Sequence, residues 1–217
     1  MAATSPASRL VASAARERLR PLGLNQRGRS RIWVDDRGWW LGIVEFPSPT
    51  WSQGSGLTVG VMWLWQDLGH LAFDFAEQVQ PRQDFRNEIQ FGTVAAALAD
   101  QAGDRVETFR STFGGLDQAA LRLLQRPVRR GFLWESFNAG VAAALAGRPE
   151  EARDRLRAVL DEEPVAPWIL DVQHAARHVY DVAHDLAAVR DWAVAAVASC
   201  RRKLALEPTQ WTVESLA

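Results

Sequence analysis

The apolar residues of this 217-residue chain change period near residue 90, and that one change limits its possible folds more than any other feature. Between Arg31 and Gln78 they recur at every second position; further on they recur every three or four. Strand side chains alternate between two faces, whereas helical ones return to the same face after about 3.6 residues. A pleated N-terminal part followed by coiled segments is the pattern of an α+β protein.

Within the pleated part, "RIWVDDRGWWLGIVEF" places two strands around an Asp-Asp-Arg-Gly turn, "LTVGVMWLW" gives a third and "HLAFDFAEQ" a fourth. In the third strand Leu57, Val59, Val61, Trp63 and Trp65 share one face. Ahead of the sheet, Leu10, Val11, Ala14, Ala15 and Leu19 fall at helical spacing and Pro21 ends the run. After it, Val94, Leu98, Val106, Phe109 and Phe113 mark one helix, and "DQAALRLLQ" a second that stops at Pro127. From Gly131 onward four helical segments, with chain breaks at Pro149 and Pro164, read as two hairpins. The expectation is an N-terminal helix with an antiparallel sheet of about four strands in residues 1–126, and an all-helical region in 127–217 packed on it.

Charge and cysteine content narrow the function classes. Lys and Arg number 25 against 26 Asp and Glu, a balance unlike that of a chain built to neutralise phosphate. The single cysteine, Cys200, has no partner for an intramolecular disulfide or a zinc knuckle, which points to a reducing, cytoplasmic setting. No segment approaches the roughly 20 apolar residues that span a bilayer, and the first residues lack an apolar run of signal-peptide length. Arginine is preferred so heavily that Lys203 is the only lysine, as GC-rich bacterial coding favours.

Two stretches resemble known families. "NAGVAAALAGRPEEARDRLRAVLDEEP" resembles a tetratricopeptide unit, with Gly140 in the small-residue place, Ala152 and Leu156 in the A-x3-F place and Pro164 in the closing place; Ser136 and Ala143 stand where that motif has Trp and Tyr. A fainter copy follows, in which Ala196, Cys200 and Pro208 repeat the spacing. The N-terminal half, through "LRPLGLNQRGRSRIWVDD", "WLGIVEF", "PSPTWSQGS" and "LTVGVMWLW", is similar to a bacterial domain family of unknown function. That resemblance implies a fold and brings no catalytic residues. The tetratricopeptide resemblance implies a helical groove that holds a protein or peptide partner.

Three groups of residues are candidates for chemistry. Five of the ten tryptophans lie between Gly38 and Trp65. Trp63 and Trp65 read as core, whereas Trp39 and Trp40 must point to opposite faces of their strand and Trp51 lies in a loop, where indoles make binding hot spots. Arg126, Arg129 and Arg130 form a basic cluster suited to an acidic partner or to nucleic acid. In "DVQHAARHVYDVAHDL" the residues Asp171, His174, His178, Asp181 and Asp185 fall along one helical stripe. His174 and His178, one turn apart, with Asp181 a turn further, are the ligand types and spacing of a divalent-metal site, and equally those of a charge-compensated surface. No phosphate-binding loop, dinucleotide fingerprint, nucleophile elbow or H-E-x-x-H motif occurs. The leading expectation is therefore a non-enzymatic binding or adaptor protein without a cofactor, acting through an aromatic hairpin and a helical groove. A metal-dependent enzyme using the His/Asp stripe is the alternative, and nucleic-acid binding the second.

Overall fold

A computed structural model describes residues 5–48 and 53–208. The elements run α1 (Pro6–Leu19), β1 (Asn25–Gln26), β2 (Ile32–Asp36), β3 (Trp40–Glu45), β4 (Gly54–Trp63), a one-turn 3-10 helix (Leu64–Gln66), β5 (Phe75–Asp84), α2 (Glu88–Thr112), α3 (Leu116–Leu124), α4 (Leu133–Leu145), α5 (Pro149–Leu160), α6 (Pro167–Val182) and α7 (Leu186–Lys203). The fold is α+β. Its sheet has five strands in the order β1-β2-β3-β4-β5 rather than four, the addition being the two-residue β1. The chain divides into two compact units, Met1–Met62 with Phe75–Arg110, and Trp63–Asp74 with Ser111–Ala217.

In the first unit β2 and β3 form the expected hairpin, pairing Trp33 with Val44 and Asp35 with Gly42 around a turn in which Gly38 N donates to Asp36 Oδ1 at 3.0 Å. Helix α1 starts where Ser5 caps it and Pro6 opens it, two devices that satisfy or remove donors a helix start leaves orphaned. Arg9 reaches Glu88 and Arg18 reaches Asp100 and Asp104, which sets α1 alongside α2. Helix α2 meets the sheet through Phe109 against Phe75 and Arg105 against Glu77. β5 is an edge strand, and its polar "QVQPRQD" with Pro81 suits an edge, where a missing N–H costs little and further pairing is discouraged.

The pleated pattern misleads at one place. It extends the third strand through Trp65 and starts the next at His70, but β4 ends at Trp63 and β5 begins only at Phe75. Between them the chain turns through the 3-10 helix, with Asp67 in the left-handed region at φ 55°, and the Asp74 carboxylate accepts from Trp63 N at 3.1 Å. A local side-chain acceptor has replaced the next rung of a ladder. This segment belongs to the second unit.

In the second unit α4 is buried along nearly its whole circumference, as its sequence of alanines, Gly140, Val141 and Phe137 requires. It packs against α3, α5, α6 and α7. A Cβ on Gly140 would stand 2.6 Å from Leu156 Cγ and 3.2 Å from Ala152 O, so only glycine allows α5 this close. The α4–α5 turn closes as a Schellman motif: Gly147 has φ 68° and Arg148 N donates to Ala143 O at 2.9 Å. Gln173 of α6 then donates to the last carbonyls around α5, those of Val159, Leu160 and Glu162.

Candidate functional site

The sequence-designated residues are dispersed. Trp39 and Trp40 are 5% and 2% exposed and meet edge to face at 6.4 Å, so neither offers an open indole. For Trp40 the reason lies in β3, which is buried at every position from Trp40 to Val44, so that both sheet faces are covered there; Trp39 lies in the preceding turn and not in the strand, so the two do not alternate across it. Trp51 lies outside the described residues. Arg126 and Arg129 converge on one carboxylate, Glu135, at 3.0 and 2.5 Å, and Arg130 reaches Glu162 at 4.0 Å. Arg129 also covers the Phe132 ring at 3.8 Å. What reads as a basic cluster is thus partly offset by Glu135, nearby in the chain, and by Glu162, which follows α5. His174, His178 and Asp181 are exposed on α6, and His178 rests beside Trp192. Among the described residues no group of three or more His, Cys, Asp or Glu is placed to hold a metal ion. Asp185, at the end of the stripe, caps α7 through Ala188 N.

A different constellation gathers in the second unit. A pocket of about 360 Å³ opens between the first turns of α4 and α6 and the Gln66–Leu68 segment. Trp134 and Phe137 reach it from α4, and Trp168, Asp171 and Val172 from α6. Trp134 and Trp168 stack at 6.4 Å with 11° between their planes, and Trp168 is 47% exposed. Exposed indole of this kind is typical of binding surfaces.

The opposite wall is a strip of the chain itself, held by its main chain as well as its side chains. The Cys200 thiol donates to Leu68 O at 3.3 Å, and Lys203 Nζ lies 2.8 Å from both the Asp67 carbonyl and its carboxylate. Burial pushes the Cys200 thiol up to about 11, so it serves as a packed donor and not as a nucleophile. Beneath this strip runs a polar chain. Trp65 Nε1 donates to Asn138 Oδ1 at 2.9 Å, and Gln66 Nε2 donates to Asn138 Oδ1 at 3.3 Å and to Asp74 Oδ1 at 2.8 Å. Gln66 is 7% exposed, and its Oε1 has no hydrogen-bond partner although the residue lines the pocket. One oxygen of Asp67, Oδ1, is likewise buried without one.

Sequence reasoning missed most of this site. Asp171 belonged to the helical stripe, but the tryptophans at 134 and 168 passed unremarked. Their separation of 34 positions was the available signal, because it matches the tetratricopeptide period and sets both at the start of the first helix of a hairpin. Gln66 and Asp67 gave no signal, since a continuing strand hides them.

Asp74 supplies a pH dependence. Its carboxyl is raised to about 6, by burial first, against the opposing effects of the Gln66 and Trp63 hydrogen bonds and the Arg126 charge. A carboxyl with a raised value binds its proton more tightly folded than unfolded. Its contribution to stability is therefore full below about pH 4 and is lost as pH rises through about 6. Wild type is expected to gain stability relative to Asp74→Asn as pH falls from 7 to 5, measured as the difference in urea midpoints. A difference that moves the other way would show the Arg126 charge outweighing burial.

No protein-family model matches this chain, and no curated protein or solved structure matches it either.

Proposed function

We propose that this chain is a binding protein whose recognition site is the groove between α4 and α6, and that its partner is an extended peptide segment of another protein. The observation that carries the reading is the pocket itself. One of its walls is already a strip of main chain, held through the Asp67 and Leu68 carbonyls, and open volume faced by a half-exposed Trp168 continues beside it. Open volume lined by half-exposed indole and by a strip that α7 fixes through its carbonyls has the chemistry to hold a linear peptide segment.

The tetratricopeptide resemblance supports the same reading. Gly140 meets Ala152 and Leu156 across the α4–α5 contact, Ala143 is buried on α4, and α6 and α7 form the second hairpin beside it. The aromatic sheet hairpin plays no part in this proposal, because Trp39 and Trp40 are enclosed. No helix among the described residues is long and apolar enough to cross a membrane.

The test is selection from a random linear peptide library on the full chain, followed by titration of the enriched peptides. They are expected to bind wild type and to lose at least tenfold in affinity with Trp168→Ala, whose melting temperature should stay within a few degrees because the indole is half-exposed. Enriched peptides that bind Trp168→Ala as tightly as wild type would remove the groove as the site.

A further inference from the structure

We infer that the α4–α6 pocket takes a guanidinium group, as carried by an arginine side chain; this rests on the groove being the binding site and specifies its ligand chemistry. The argument begins with Gln66. Its Nε2 donates to two oxygens, Asn138 Oδ1 and Asp74 Oδ1, so rotating the amide would set oxygen against oxygen at both contacts. The orientation is thereby fixed, and Oε1 is an acceptor with no donor of the protein supplied to it. A residue 93% buried with an unmet acceptor calls for a donor from outside the chain.

The other polar groups of the pocket agree. Asp67 offers Oδ1 while its other oxygen is engaged by Lys203, and Asp171 brings a second carboxylate from α6. Two carboxylates against one ammonium leave the pocket net negative. Its ligand must therefore be rich in donors and positively charged, which rules against a phosphate, a carboxylate or an acidic peptide.

Guanidinium fits better than ammonium for two reasons. It spreads five donors in one plane, matching acceptors that come from separate elements, the 3-10 turn and α6. Its flat face also stacks on indole, and the Trp134–Trp168 pair supplies two near-parallel rings beside the carboxylates. An ammonium, a compact and strongly hydrated point charge, would meet fewer of these groups at once.

The experiment titrates the full chain calorimetrically with three blocked tripeptides, Gly-Arg-Gly, Gly-Lys-Gly and the version with citrulline, which keeps the shape of arginine without its charge. The arginine peptide is expected to bind at least tenfold more tightly than either of the others, and to weaken at least fivefold with Asp171→Asn, an exposed position whose replacement should leave the melting temperature unchanged. Trp168→Ala should weaken it as well. Equal binding of the citrulline or the lysine peptide would overturn the guanidinium assignment, as would indifference to Asp171→Asn. Free L-arginine binding as tightly as the tripeptide would uphold the guanidinium site and identify a small molecule as its source. Library peptides that lack arginine yet depend on Trp168 would end this inference while leaving the groove in place, whereas failure of every peptide and of L-arginine would end both.

Discussion

Replacing Arg110 with methionine is expected to destabilise the first unit by about 3–5 kcal/mol, the usual cost of leaving one charge of a buried pair without its partner. Asp35 is 2% exposed on β2 and depends on Arg110 of α2: Nε donates to Oδ2 at 2.8 Å and Nη2 to Oδ1 at 2.7 Å. The same Nη2 lies 2.6 Å from Leu22 O, so one guanidinium joins α2, β2 and the loop after α1. Room for this pair comes from Gly42 across the hairpin, where a Cβ would stand 3.2 Å from Asp35 Cβ. The Asp35 hydrogen bonds are the main reason the Arg110 guanidinium is raised above its ordinary value. Lysine should not substitute, because it lacks the fork that spans both carboxylate oxygens. Urea denaturation of the single variants and of Arg110→Met with Asp35→Asn would separate two effects. The double variant should recover much of the loss, because the uncompensated carboxylate is gone. An Arg110→Met loss under 1 kcal/mol would show that water or a second cation already solvates Asp35.

The change of period near residue 90 made the architecture legible: alternation needs only neighbouring residues, and so does the helical repeat. The same local view failed wherever a distant residue decides. Trp65 alternates properly with Trp63, yet the strand has ended, because Asp74 and Asn138 offer hydrogen bonds that no window around "LTVGVMWLW" contains. Arg126, Arg129 and Arg130 look like a free basic cluster until Glu135 and Glu162 fold back onto them. Trp39 and Trp40 read as neighbours on one strand, but Trp39 lies in the turn before β3 and its ring meets that of Trp40 edge to face; which indoles are covered is a property of the whole fold. The pocket is the extreme case. Its polar wall comes from residues 66, 67 and 171 and its aromatic wall from 134 and 168, and of these the sequence marks only Asp171 of the helical stripe and the 34-residue spacing of the two tryptophans.

Asn138→Leu is expected to cost the second unit about 2–4 kcal/mol and, more tellingly, to release the strip that forms the pocket wall. Asn138 is 1% exposed, and its Oδ1 is the acceptor for both Trp65 Nε1 and Gln66 Nε2. Leucine fills a similar volume but accepts nothing, so the indole N–H loses the acceptor it has here, and each buried donor left unmet costs about 1–3 kcal/mol. Gln66 keeps Asp74 but is no longer held from two sides, so its Oε1 is less firmly positioned. Affinity for a donor-rich ligand should fall with it, although Asn138 does not line the pocket. Cys200 provides a direct report of the strip, since its thiol is buried against the Leu68 carbonyl. In the variant, labelling of Cys200 by a disulfide reagent should become measurable at urea concentrations well below the unfolding midpoint, whereas in wild type it should follow global unfolding. Labelling that stays tied to global unfolding in Asn138→Leu would mean that Lys203 and Asp74 hold the segment without Asn138.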